Sequence, residues 1–169
     1  MDTFVAVDLD IASRAPMRVC ALGAVRIEHG RETQSYRSLV HAKGPVRYTH
    51  VHGLTAVDLV HAPMWAAVWR DLLDVIGDIR LLVAFRASFD RAAILAMCAH
   101  HGIRLPRVRF VCAAAMIEKQ YGRNLDLRTS LDLLGLPFPG SPHSPLADAR
   151  AAAAIALACT PAGSPSTRR

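Results

Sequence analysis

Residues Phe4 to Asp10 read FVAVDLD: four apolar residues suited to a buried strand, then two carboxylates separated by one leucine. Side chains alternate faces along a strand, so Asp8 and Asp10 point one way and Leu9 the other. Two like charges side by side destabilise a strand end unless something positive sits between them. A divalent cation is one resolution. A strand running out into solvent is the other, and the pair alone does not choose between them.

The rest of the chain supplies the elements around that strand. Thr3 to Leu9 is expected to be the first strand. Val19 to Glu28 and Thr33 to Ala42 read as two more around EHGRE, where Gly30 marks a hairpin turn. Thr55 with Asp58 three residues later starts a short helical turn. A firmer helix is expected from Pro63 to Ile76, with Trp65, Val68, Trp69, Leu72, Leu73 and Ile76 at helical spacing. Leu81 to Phe85 is a short buried strand, followed by a helix capped by Ser88 and stopped at Gly102. Val108 to Cys112 reads as a fifth strand leading into a helix at AAAMIEKQY, and LDLRTSLDLLG as a short helix closed by Gly135. A last helix opens at Ser144-Pro145, after the loop PFPGSP, and runs to Ala158. Hairpin strands followed by strands alternating with helices give an α/β fold, a mixed sheet flanked by helices.

At 169 residues this is one domain, expected over 1–159, with TPAGSPSTRR (160–169) as a disordered tail. No apolar run approaches the ~18 residues that span a bilayer, and no secretory signal precedes the first strand, so a cytoplasmic protein is expected. The four cysteines form no CxxC pair and stand in apolar contexts, as reduced, buried thiols do. A formal net charge of +6 favours a polyanionic partner, with nucleic acid the natural candidate. The Lys and Arg residues are spread along the chain, as on a solvated face with a phosphate-attracting rim.

Two further stretches bear on the paired acids. ASFD places Asp90 in the first turn of a helix, and HSPLAD places His143 in a loop and Asp148 at the start of the last helix. Each has an ordinary reading, since acids complement a helix N-terminus and loop histidines are commonly surface residues. Yet all lie at the ends of elements expected to converge on one edge of the sheet. Four carboxylates and a histidine gathered there suit phosphodiester hydrolysis with two metal ions. Trp65 and Trp69, at i and i+4, fit core packing better than base stacking.

The stretches VDLD, LGAV, HGLT, FRASFD and HSPLADA, in this order and covering Phe4 to about Ala158, resemble the DEDDh branch of the 3′→5′ exonucleases. That branch includes the proofreading subunit of a bacterial replicative polymerase and ribonuclease T. The resemblance implies a ribonuclease H-like fold with a five-stranded sheet. It implies that Asp8, Asp10 and Asp148 hold Mg²⁺ or Mn²⁺, that Asp8 also touches a second ion, and that Asp90 helps through a bound water. It makes His143 the general base and puts His52 near the scissile nucleotide, where an ordinary loop histidine is the other reading. The expected substrate is a single-stranded 3′ end of DNA or RNA. A homodimer or a polymerase partner stays open, with a free-standing enzyme preferred.

Three departures qualify this. Asp10 stands where the family has glutamate, one methylene longer, so weakened activity or a shift towards Mn²⁺ is expected. Phe85-Arg86 replaces His-Asn, and Arg86 either reaches a phosphate or an acid, or points into solvent. IAS after the second acid replaces small polar residues and is expected to alter the loop beside the terminal nucleotide. They leave a second reading: an inactive module of the same fold that binds nucleic acid or docks a partner.

Overall fold

The structure is a computed structural model that describes residues 1–141 and 143–160. Strands β1 (Phe4–Arg14), β2 (Met17–Glu28) and β3 (Arg31–Leu39) form an antiparallel meander. β4 (Leu81–Ala84) and β5 (Arg109–Cys112) add in parallel on the other side of β1, giving the order β3-β2-β1-β4-β5. This is the mixed five-stranded sheet expected. The β2–β3 hairpin turns on His29 and Gly30, at φ 52° and 74°. Two successive positive φ values match the twist of paired strands, and glycine adopts the second without steric cost.

Helices α1 (Thr49–His52), α2 (Ala56–Leu59), α3 (Trp65–Ile76), α4 (Ala87–His100), α5 (Ala113–Tyr121), α6 (Leu127–Leu133) and α7 (Pro145–Ala158) complete the described chain. The period-2 alternation of β1 divides the core. Val5, Val7, Leu9 and Ile11 pack with α3 and α4, whereas Phe4 and Ala6 pack with α5, α6 and α7. Trp65 and Trp69 are buried in the first of these cores, with ring centroids 5.7 Å apart, which settles them as packing residues.

The first strand does not end at Leu9. It continues to Arg14 because Ile11, Ala12 and Ser13 are buried and go on pairing with β2, through register shifts after Asp10. The IAS stretch is therefore strand rather than a loop. Asp8 and Asp10 lie in mid-strand, and the element that stops beside them is β4. It pairs with β1 only at Val5 and Ala6 and ends at Ala84, leaving that edge of β1 to the start of α4. Ser88 is not the cap of α4: the N-cap is Arg86, and Ser88 lies inside the first turn. The third strand stops at Leu39, and α3 begins at Trp65 with Met64 as its N-cap. Asp126 caps α6 by accepting from the Thr129 amide at 2.8 Å. Of the cysteines, Cys20 and Cys98 are buried and Cys112 and Cys159 half-buried, all four as free thiols. Of the expected tail, 161–169 lies outside the described residues.

Candidate active site

Asp8 and Asp10 project from the face of β1 that α7 covers. How α7 reaches them is a matter of small side chains. Its Ala149, Ala152, Ala153 and Ala156 are buried against the sheet, and Gly23 lies opposite Asp8 on β2. A methyl group on Gly23 would collide with the backbone of Pro145 and Leu146. Only glycine lets the first turn of α7 lie directly on β2, and that contact brings Asp148 beside the strand acids. Pro145 starts the helix at a position where a missing N–H costs nothing, and the Asp148 amide donates to the Ser144 carbonyl at 2.9 Å. His143, exposed in the preceding loop, takes the left-handed conformation at φ 60°, a strain of roughly 1–2 kcal/mol for a non-glycine residue. Asp90 comes from the first turn of α4, where β4 has stopped, and is 3% exposed.

The four acids act on one another. Burial pushes the Asp8 carboxyl well above its ordinary range, and the charges of Asp90, Asp148 and Asp10 push it further. Asp10 is raised to about 7 by burial and by Asp148, with His143 opposing. Asp90 is raised to about 7, chiefly by burial, although its own amide and that of Leu9 favour its charged form. Burial raises Asp148 too, against the pull of His143. The pattern is of carboxyls placed where they cannot all ionise without a cation.

One buried oxygen on each of Asp10, Asp90 and Asp148 has no hydrogen-bond partner among the described residues. Unpartnered carboxylate oxygens in a partly buried cluster are what a hard divalent cation binds, so the donor set fits Mg²⁺ or Mn²⁺. Among the described residues, no three His, Cys, Asp or Glu side chains already stand in a geometry that could hold a metal ion.

A cavity of about 400 Å³ opens beside Asp10, lined also by His143 and Pro145 at the start of α7, by Arg37 of β3, and by His52 and Leu54. His52 therefore lies at the site, but its ring is committed. Nδ1 accepts from the Leu54 amide at 3.0 Å, which leaves the proton on Nε2 to be donated to the Arg47 carbonyl, also at 3.0 Å. It fixes the loop that forms the wall. Arg86 is exposed at the head of α4, one turn before Asp90, and does not border this cavity. Sequence reasoning passed over Arg37 and Leu54. The signal for Arg37 was available only through strand register, because it pairs with Gly23, which pairs with Asp8.

Residues 6–156 match the model of a protein family described as exonuclease, of the ribonuclease T type. No curated protein sequence matches the chain. Among solved structures, the chain is similar to the nuclease domain of 3′hExo, a DEDDh family member, bound to rAMP. The TM-score is 0.79 at 15% identity, covering 92% of this chain and 90% of that one. It is also similar to E. coli exonuclease I in complex with a dA16 oligonucleotide, with a TM-score of 0.75, 12% identity, and 93% and 40% coverage. S. pombe Pop2p, in its Mg²⁺ and Mn²⁺ bound form, gives a TM-score of 0.72 at 14% identity over 92% and 82% of the two chains. At these identities the likeness is one of fold, the ribonuclease H-like arrangement of sheet and helices. No helix among the described residues is long and apolar enough to cross a membrane.

Proposed function

The chain belongs to the exonuclease family, and from that premise we propose that it removes nucleoside monophosphates one at a time from single-stranded 3′ ends of nucleic acid. The observation that carries this reading is the convergence of Asp8, Asp10, Asp90 and Asp148 from three separate elements, with raised pKa values, beside His143 and an open cavity. Asp8, Asp10 and Asp148 would hold Mg²⁺ or Mn²⁺ directly, with Asp8 shared by a second ion and Asp90 assisting through a water. When bound, two such ions polarise the phosphodiester and stabilise the attacking and leaving oxygens of an in-line displacement.

The remaining work falls to the chain's own groups. His143 takes the proton of the attacking water. The water oxygen forms the new bond to phosphorus as the bond to the 3′ oxygen of the preceding nucleotide breaks, and that leaving oxygen takes a proton from solvent. Its loop position and exposure let His143 pass the proton of the attacking water to solvent. The wall fixed by His52 holds the terminal nucleotide, and Arg86 meets the backbone on the Asp90 side. A net charge of +6 draws the polyanion in without selecting a sequence.

A 5′-labelled single-stranded oligonucleotide incubated with Mg²⁺ or Mn²⁺ tests this. Stepwise shortening with release of mononucleotides is expected, faster with Mn²⁺. The shortness of Asp10, together with Phe85-Arg86 in place of His-Asn, favours a second reading of a catalytically weakened binding module. Asp10→Glu separates the two. An exonuclease limited by reach gains activity, by about tenfold with Mg²⁺, equal to ~1.4 kcal/mol of barrier. Should neither the native chain nor Asp10→Glu shorten the oligonucleotide with either ion, the exonuclease reading fails.

A further inference from the structure

The edge strand β3 places one cation where the catalytic acids do not use it. Laterally paired residues in a sheet share a face, so Asp8, Gly23 and Arg37 form one rank across β1, β2 and β3. Two strand spacings set Arg37 roughly 10 Å from Asp8. The first turn of α7 lies on Gly23 between them, and Arg37 lines the same cavity as Asp10 and His143.

Ordinary roles for this arginine do not fit. Arg150, on α7, is held by Glu32 near the start of β3 at 2.7 and 3.0 Å, whereas Arg37 has no ion pair or side-chain hydrogen bond among the described residues. It is not a counter-ion for the acids either. The charges that act on Asp8, Asp10, Asp90 and Asp148 are one another's and that of His143. Protection of the exposed sheet edge needs a charge somewhere along β3, and Arg31 and Glu32 already supply it. What is left is an unpaired guanidinium, exposed at the rim of a cavity of ligand size. Its fork of N–H donors matches a phosphate in two-pronged geometry.

We propose that Arg37 is a second phosphate-binding group of this site, holding a substrate phosphate other than the one that is cleaved. The proposal rests on the nuclease reading and adds a requirement: good substrates carry a further phosphate near the scissile one. That phosphate is either the neighbouring phosphodiester of the strand or a phosphate on the 3′ terminus.

The test compares wild type, Arg37→Gln and Arg37→Lys on three probes. These are an oligothymidylate with a 3′ hydroxyl, the same strand with a 3′ phosphate, and the nitrophenyl ester of thymidine 5′-monophosphate, which carries only the scissile phosphate. Binding of both strands is measured with Ca²⁺ present, over a range of salt, and cleavage of all three with Mn²⁺. For Arg37→Gln we expect about tenfold weaker binding and a salt slope shallower by about 0.7, the share of one phosphate contact on a single strand. Arg37→Lys recovers part of the binding, since it restores the charge without the fork. In cleavage, the loss in kcat/KM on the strand exceeds that on the ester by about tenfold. A loss on both strands identifies the internal phosphodiester, and a loss confined to the 3′-phosphorylated strand identifies the terminal phosphate. Unchanged binding and salt slope on both strands overturns the proposal, as does an equal loss on strand and ester. Arg37-dependent binding by a wild-type chain that cleaves none of the probes keeps the proposal and removes the exonuclease reading.

Discussion

The two walls of the cavity are built by opposite means. The side of Asp10 and α7 is packed: α7 presses its alanines onto the sheet and its first turn onto Gly23, and behind it Asp90 is buried where β4 stops. The facing wall is assembled from an edge strand and the short helix α1, with Arg37 exposed and the loop around His52 held by two hydrogen bonds from its ring to the backbone. Packing positions groups to fractions of an ångström and buries them, which is how four carboxylates are forced together at a cost in stability. An exposed wall can hold a substrate but cannot impose such electrostatic strain. On the proposed function, chemistry falls to the first wall and recognition to the second, and substitutions on the two should differ in kind.

The largest effect is expected at Asp8, where burial and three neighbouring charges meet. Asp8→Asn should lower kcat by about 10³-fold or more, equal to ~4 kcal/mol of barrier, with little change in KM. The same substitution should raise the melting temperature of the metal-free protein, because it removes the charge that the other acids repel. Loss of activity with gain of stability is the signature of a group held under strain for function. A lower melting temperature without metal would remove the claim of strain.

The pH dependence sharpens the same point. Unfolded, these carboxyls release their protons near pH 4; folded, Asp10 and Asp90 keep them to about pH 7 and Asp8 beyond the ordinary range as well. Through that window the folded state binds more protons, so the free energy of unfolding falls as pH rises. Metal-free protein should therefore melt at a lower temperature at pH 8 than at pH 5.5. Mn²⁺ should close the gap, raising the melting temperature more at pH 8 than at 5.5. Thermal melts in chelator and in Mn²⁺ at the two pH values measure both.

Gly23→Ala attacks the packed wall without touching an acid. The added methyl group meets the backbone of Pro145 and Leu146, which cannot yield as a side-chain tip would. The start of α7 must lift, taking Asp148 and His143 with it. Overpacking of this kind costs about 1–3 kcal/mol of stability. A displacement of ~1 Å at the reacting groups costs about 10²-fold in kcat. Melting and steady-state kinetics together check it; a variant with native kcat would mean that α7 is not what positions Asp148.

How legible these walls were in the sequence follows from how they are built. The acids announce themselves, because a carboxylate on the core face of an apolar strand or in the first turn of a buried helix is out of place. Their convergence and the sheet around them could be anticipated from element order. What failed was extent: the first strand was expected to stop at its acids, whereas Ile11 and Ala12 are apolar enough to continue it through Asp10. The facing wall was largely invisible. Arg37 looks like any exposed strand arginine until pairing puts it in rank with Asp8, and register is a relation between strands rather than a property of one. Gly23 belonged to the resemblance as part of LGAV, but nothing local revealed that a helix lands on it.

The smallest effect is expected at His52, and it tests whether the second wall acts as a wall. With Nδ1 accepting from Leu54 and Nε2–H donating to Arg47, the ring has no nitrogen left for substrate or proton transfer. His52→Ala should cost about 1–2 kcal/mol of stability through the two lost bonds. It should raise KM for a single-stranded oligonucleotide several-fold while leaving kcat within about twofold, since only the surface that holds the nucleotide has loosened. His52→Gln, whose amide can both donate and accept, should recover part of the KM. A fall in kcat of the size expected for Asp8→Asn, with KM unchanged, would place His52 with the catalytic groups and dissolve the division between the two walls.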